Sequence, residues 1–194
     1  MRICIDPGHA GRLTDPGAVS PFTGVRESDV VLSMALMVQR YLQAVGYEVM
    51  LTRTQDEQSE TDDLSYRTNL SNSWRADLFV SLHCNSAGSS SAQGYEIWTS
   101  PGQTQGDILA TKIFNQVADE FPDRVGRTDY TDGDPDKESR FYVLMYTDAP
   151  ACLVETAFIS NEEEGQLLAN PAWQDRYARA IARGITDYVG GLSI

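Results

Sequence analysis

Apolar and polar positions along the chain switch repeatedly between two periods. Residues 2–6 form a short apolar run stopped by Pro7-Gly8, the pattern of a buried strand. Beyond a Gly/Pro-rich loop, Val30, Val31, Met34, Ala35, Met37, Val38, Tyr41, Leu42 and Val45 recur at helical spacing, and Gly46 supplies a stop. Residues 47–52 read as a second strand, 54–63 as a polar loop, 64–74 as a helix and 78–82 as a third strand. After the Ser/Gly segment 86–94, residues 95–98 predict a fourth strand. A helix over 108–121 carries Ile108, Leu109, Ile113, Val117 and Phe121. The acidic, aperiodic stretch 122–140 reads as a surface loop, and 141–145 and 151–155 predict two more strands. Ser160 and Glu163 match a capping box for a short helix. Asn170 followed by Pro171 starts a last helix striped with Trp173, Tyr177, Ile181, Ile185 and Tyr188, and Gly190-Gly191 reads as a frayed end.

Strands alternating with helices predict the α/β class: one mostly parallel or mixed, twisted sheet of about six strands, flanked by helices on both faces. No internal repeat, linker or low-complexity block interrupts the pattern, so 1–194 reads as a single domain.

Composition narrows the partners. With 15 Lys+Arg against 28 Asp+Glu the net charge is −13, which argues against a nucleic-acid binder, because such proteins need clustered cations. No run of 18 apolar residues is present, so no membrane insertion is expected. Cys4, Cys84 and Cys152 have no CxxC spacing and read as small buried hydrophobes. Residues 1–5 run straight into a strand, without the apolar core of a signal peptide.

In open α/β sheets, ligands bind outside the carboxyl ends of the strands. The only two histidines, His9 and His83, both fall at such ends, and the strand over 151–154 ends in Glu155. Two imidazoles and one carboxylate suit a divalent metal and leave a fourth tetrahedral position for water. The candidate third ligand is Glu27, in the loop just before the first helix; the helix macrodipole accounts equally well for an acid there. Asp6 and Asn85 are candidates to orient the imidazoles, and turn formation explains Asp6 as well. Arg53 suits either a clamp on a substrate carboxylate or, preferably, a structural pair with a buried acid. Of Tyr95, Trp98, Tyr130 and Tyr142, only Tyr130 is retained as a platform for sugar rings.

The segments 5–9 (IDPGH), 24–27 (GVRE), 51–54 (LTRT), 76–85 (ADLFVSLHCN), 142–144 leading to 150–155 (PACLVE), and 158–162 (FISNE) occur in order over nearly the whole chain. Together they make the chain resemble the zinc-dependent N-acetylmuramoyl-L-alanine amidases of the amidase-3 family. The resemblance implies one zinc ion per chain on His9, Glu27 and His83, with Glu155 as general base and then general acid. The implied substrate is peptidoglycan, cut at the amide between N-acetylmuramic acid and the L-alanine of the stem peptide. Cys84 stands where the family usually has a small residue; strand alternation points it away from His83, so it is not expected to be a ligand. Ala10 replaces a common glycine. The long regulatory insertion of some members is absent between His83 and Glu155, which implies a site not covered by its own chain.

The expected protein is a monomeric catalytic domain without a separate wall-binding domain. It acts on the cell wall, in the periplasm or outside the cell, as a phage lysin or an autolysin. Without a signal peptide it would reach the wall by holin-type release, unless the chain is a trimmed one. Three other readings remain open from the residues alone: a two-carboxylate glycosidase, a zinc peptidase acting on the stem peptide, and a wall-binding module with a structural zinc. Chelation separates the glycosidase from the zinc enzymes.

Overall fold

Pleat alternation decides which side chains meet on each face of the sheet. The computed structural model describes residues 1–192, so the last two positions of the expected domain lie outside the described residues. Strands β1 (Arg2–Pro7), β2 (Glu48–Leu51), β3 (Leu78–Asn85), β4 (Glu96–Thr99), β5 (Lys137–Glu138) and β6 (Ala151–Phe158) form one sheet in the order β2-β1-β3-β6-β4-β5. The first four of that order run parallel; β4 joins β6 antiparallel, and β5 follows β4 in parallel. The expected α/β class and mixed, mostly parallel sheet are observed.

Ile3, Ile5, Val80, Leu82, Cys84, Cys152 and Val154 belong to one core cluster, together with apolar residues of α1 (Glu27–Ala44), α3 (Gln105–Glu120) and α6 (Pro171–Gly191). The alternate positions Cys4, Phe79, Ala151 and Leu153 cluster with Val143 and Leu144 of α4 (Tyr142–Tyr146), which packs against α2 (Leu64–Trp74). A short α5 (Glu162–Leu168) precedes α6. Because both faces are covered, β1 is buried at nearly every position instead of alternating. All three cysteines are free and buried, as expected.

Several elements differ from the pattern reading. Residues 141–145 do not form a strand: Tyr142–Tyr146 is helical, and Tyr142 stacks on Tyr146 at 4.3 Å between ring centroids, an i,i+4 contact that extended chain does not make. A short apolar run has no period of its own to distinguish the two states. The sixth strand lies instead within the expected loop, at Lys137–Glu138; it pairs through its backbone with Trp98 and Thr99 and carries no apolar signal. The cap of α5 is Asn161, whose side chain accepts from the Glu164 backbone N–H, whereas Ser160 Oγ accepts from Ala87 N–H. Helix α3 starts at Gln105, earlier than its apolar stripe, because Thr104 and Asp107 form a capping box. Gly190 and Gly191 are the last residues of α6, not a frayed end. A 3₁₀ turn at Ser59–Asp62 interrupts the polar loop. Strands β3 and β6 run on to Asn85 and Phe158, so His83 and Glu155 sit within strands and not just beyond them.

Candidate metal centre

The chain leaves β1 at Pro7 and passes through Gly8 to His9, whose φ of 65° is a left-handed conformation uncommon for a side chain of this size. Two fully buried guanidinium groups hold this turn by its carbonyls. From α2, Arg67 donates to Thr61 O (2.6 Å), Pro7 O (2.8 Å) and His9 O (2.5 Å), and pairs with Asp6 Oδ1 at 2.7 Å. Arg53 donates to Gly8 O and Ser28 O, both at 3.0 Å, tying the turn before His9 to the start of α1. Such over-determination keeps a disfavoured conformation in place. Arg53 is therefore structural, but its partners are carbonyls; the buried acid belongs to Arg67. Burial pushes the Asp6 carboxyl up, but Arg67, with Thr52 and Ser81 donating hydroxyls, holds it below the usual carboxylate range.

Glu27 is the first residue of α1, not a loop residue ahead of it. Its Oε2 accepts from Ala18 N–H (3.0 Å), and its Oε1 accepts from Cys84 N–H (2.9 Å). The same Oε1 lies 2.9 Å from His9 Nε2 and 3.0 Å from His83 Nδ1. The carboxylate thus joins the helix start, the loop after β1 and strand β3. Burial pushes Glu27 up, but hydrogen bonds from His83 and His9 outweigh it and hold the group well below the ordinary range. Burial pulls both imidazoles down, yet Glu27 raises both above their usual value, helped by Asp15 at His9 and by Glu155 at His83.

Three observations fit a metal at this convergence. One potential ligand atom from each of His9, Glu27 and His83 lies within 4.8 Å of the others. His9 Nε2 is buried and makes no aligned hydrogen bond despite the nearby carboxylate. The other ring nitrogen, Nδ1, lies 2.8 Å from Asp15 Oδ2, the carboxylate–histidine arrangement that orients metal-ligating imidazoles. Two nitrogens and one carboxylate oxygen are a donor set suited to zinc with one position left open. Cys84 belongs to the opposite core cluster and turns its thiol toward Thr156, so it stays away from the convergence as alternation predicts.

Glu155 is the direct register partner of His83 across the β3–β6 pair, which puts both side chains on the same face. Its Oε2 is buried with no hydrogen-bond partner. Burial, opposed by His83 and reinforced by Glu27 and Glu96, pushes its carboxyl up to about 7. A cleft of about 290 Å³ opens over these groups, with His9, Asp15, His83 and Glu155 on its polar side and Leu64, Phe141 and Tyr142 among its apolar lining.

The family described as N-acetylmuramoyl-L-alanine amidase, amidase-3, matches residues 3–187. The chain belongs to that family. It is 34% identical over 192 residues to the N-acetylmuramoyl-L-alanine amidase CwlM of Bacillus licheniformis, covering 95% of this chain and 67% of that one. To AmiC of Neisseria meningitidis serogroup B it is 32% identical, covering 96% and 52%. The chain therefore spans between half and two thirds of these relatives. Among solved structures, AmiC2 of Nostoc punctiforme superposes with a TM-score of 0.86 at 30% identity, covering 98% of this chain and 97% of that one. The catalytic domain of CwlV from Bacillus (Paenibacillus) polymyxa gives 0.83 at 30% identity, covering 97% and 98%.

In this member of the family, three of the four residues singled out from the sequence, His9, His83 and Glu155, line one cleft, and Glu27 meets both imidazoles outside that lining. Neither expected orienting group bonds an imidazole, although Asp6 lines the cleft. Asp6 is engaged by Arg67, and Asn85 donates to Glu96 on β4. Sequence reasoning missed Asp15, hidden among the turn-forming residues of Asp15-Pro16-Gly17, and Arg67, whose partners in β1 are distant in sequence. It set Tyr142 aside as packing, yet Tyr142 lines the cleft, while the exposed Tyr130 lies outside that lining.

Proposed function

We propose that this chain is the catalytic domain of a zinc-dependent peptidoglycan hydrolase. It cuts the amide between the lactyl group of N-acetylmuramic acid and the L-alanine of the stem peptide. His9, Glu27 and His83 would hold the ion, and Glu155 would carry the proton. A bound zinc supplies a Lewis acid that polarises the amide carbonyl and lowers the pKa of water from about 15.7 toward about 7. The chain's own residues supply the rest. Asp15 fixes the His9 ring, and Gly8 and Gly17 leave room for the ligands. Glu155 takes the proton of the attacking water at its carboxylate and then delivers it to the departing alanine nitrogen, so one group acts as base and then acid.

The observation that carries this reading is the same-face pairing of His83 with a half-buried Glu155 whose carboxyl is pushed to about 7, near the pH at which a proton carrier serves both steps. The apolar wall of Leu64, Phe141 and Tyr142 beside it gives a sugar–peptide junction a surface to lie on. The same chemistry serves an autolysin or a phage lysin, and it requires only one copy of the chain.

The test is digestion of purified sacculi followed by mass spectrometry. Intact glycan strands and freed peptides beginning at L-alanine are expected, with activity abolished by EDTA and restored by zinc. New reducing ends on muramic acid, or activity indifferent to chelation, would overturn the assignment.

A further inference from the structure

A second convergence of acids lies away from the cleft, where the N-terminus of α3 meets the segment entering β5. One carboxylate oxygen from each of Asp107, Asp134 and Asp136 lies within 4.8 Å of the others. Asp107 is 3% exposed and Asp136 2%, so two of the three are nearly sealed from water. Their outer oxygens are accounted for: Asp107 Oδ2 accepts from Thr104 N–H, Asp136 Oδ2 from Thr99 Oγ1 at 2.5 Å, and Asp134 Oδ2 from Gln103 Nε2 at 3.3 Å. Oδ1 of all three is buried and has no partner. Among the described residues none of the three makes an ion pair; the adjacent Lys137 turns instead to Glu96, at 2.5 Å.

Three carboxylates crowded in a largely dry site, each with an unpartnered oxygen, are costly unless a cation sits between them or one of them takes up a proton; in the ion-free chain burial, with Asp134 and Asp107 beside it, pushes the Asp136 carboxyl up to about 8. The donor set is all oxygen, with no imidazole or thiolate, which selects a hard cation over zinc. Magnesium fits less well, since it demands a near-ideal octahedron and dehydrates reluctantly. We propose that Asp107, Asp134 and Asp136 form a structural calcium site, distinct from the zinc centre, with water or backbone carbonyls completing the shell. The ion links the start of α3 to β5 and so secures the strand that brings Lys137 to Glu96, the register neighbour of Glu155 on β4. This inference stands whether or not the amidase reading holds.

The experiment is calorimetric Ca2+ titration and thermal unfolding of the zinc-loaded chain, as wild type, Asp134→Asn and Asp136→Asn. Wild type should bind one Ca2+ and unfold about 5–10 °C higher once the ion exceeds its Kd about a hundred-fold. Both variants should lose the heat of binding and the rise. In calcium-free buffer both should unfold at or above the wild-type temperature, because each removes one acid from the crowded cluster. No binding by wild type at about 10 mM Ca2+, a rise that survives in Asp134→Asn, or variants less stable than wild type without calcium would each overturn the site.

Discussion

Gly8 leaves vacant the space that the His83 imidazole needs. A Cβ on Gly8 would fall 2.5 Å from His83 Nε2 and 2.8 Å from Nδ1, closer than real carbon contacts allow. The backbone of Gly8 cannot retreat, because its N–H donates to Leu82 O and its carbonyl accepts from Arg53. The ring must move instead. Gly8→Ala should therefore lower zinc content and cut turnover by about 100-fold or more, while the metal-free protein still folds. Zinc per chain by elemental analysis, beside turnover on sacculi, checks this; full zinc loading at wild-type rate would refute the steric argument.

Under the proposed function, variants of Glu155 and His83 would separate proton transfer from metal binding. Glu155→Gln keeps the side chain's shape and removes the proton carrier, so turnover should fall about 10²–10⁴-fold with zinc content unchanged. His83→Ala should lose the metal itself. If the two phenotypes came out exchanged, the roles assigned to these register partners would be wrong.

On the proposed reading, Asp15 would act on zinc through His9, whose Nδ1 lies 2.8 Å from its Oδ2. Asp15→Asn keeps an oxygen near His9 Nδ1 but removes the charge, and zinc affinity should weaken about 10–100-fold. At saturating zinc most of the turnover should return. Competition with a calibrated chelator measures the affinity, and an unchanged value would make Asp15 a loop residue only.

The Asp6–Arg67 pair predicts an acid-sensitive core. Asp6 titrates lower in the folded chain than in the unfolded one, so its contribution to stability is complete above about pH 4 and is lost as pH falls through the folded value. Asp6→Asn leaves the Arg67 charge buried without its partner and should cost about 3–5 kcal/mol at neutral pH. The gap between wild type and variant, followed by thermal unfolding of metal-free protein from pH 7 downward, should narrow only below about pH 4. A gap independent of pH would mean that the pair is not ionised in the fold.

The legible parts of the site are those tied to the sheet. His9, His83 and Glu155 stand next to or within apolar runs that could only be buried strands, and parallel strands of one sheet bring their carboxyl ends to one rim. Glu27 was ambiguous from its position alone, since any helix start favours an acid; the family resemblance singled it out, and its contacts with both imidazoles give the physical reason. The short helix Tyr142–Tyr146 was misread because an apolar run of that length suits either period, and with it went the aromatic wall of the cleft.

Hydrophobic periodicity by itself determined the class of the fold, most of its elements and the rim on which chemistry sits, because burying apolar side chains at periods of 2 and 3.6 leaves few architectures. What only the tertiary structure decided is which polar groups serve which. Arg67 reaches Asp6 across 61 positions, His83 meets Glu27 across 56, and β5 is a strand only because β4 lies beside it. Hydrogen bonds and ion pairs act over a few ångströms in space with no period along the chain, so their partners emerge only when packing has brought them together.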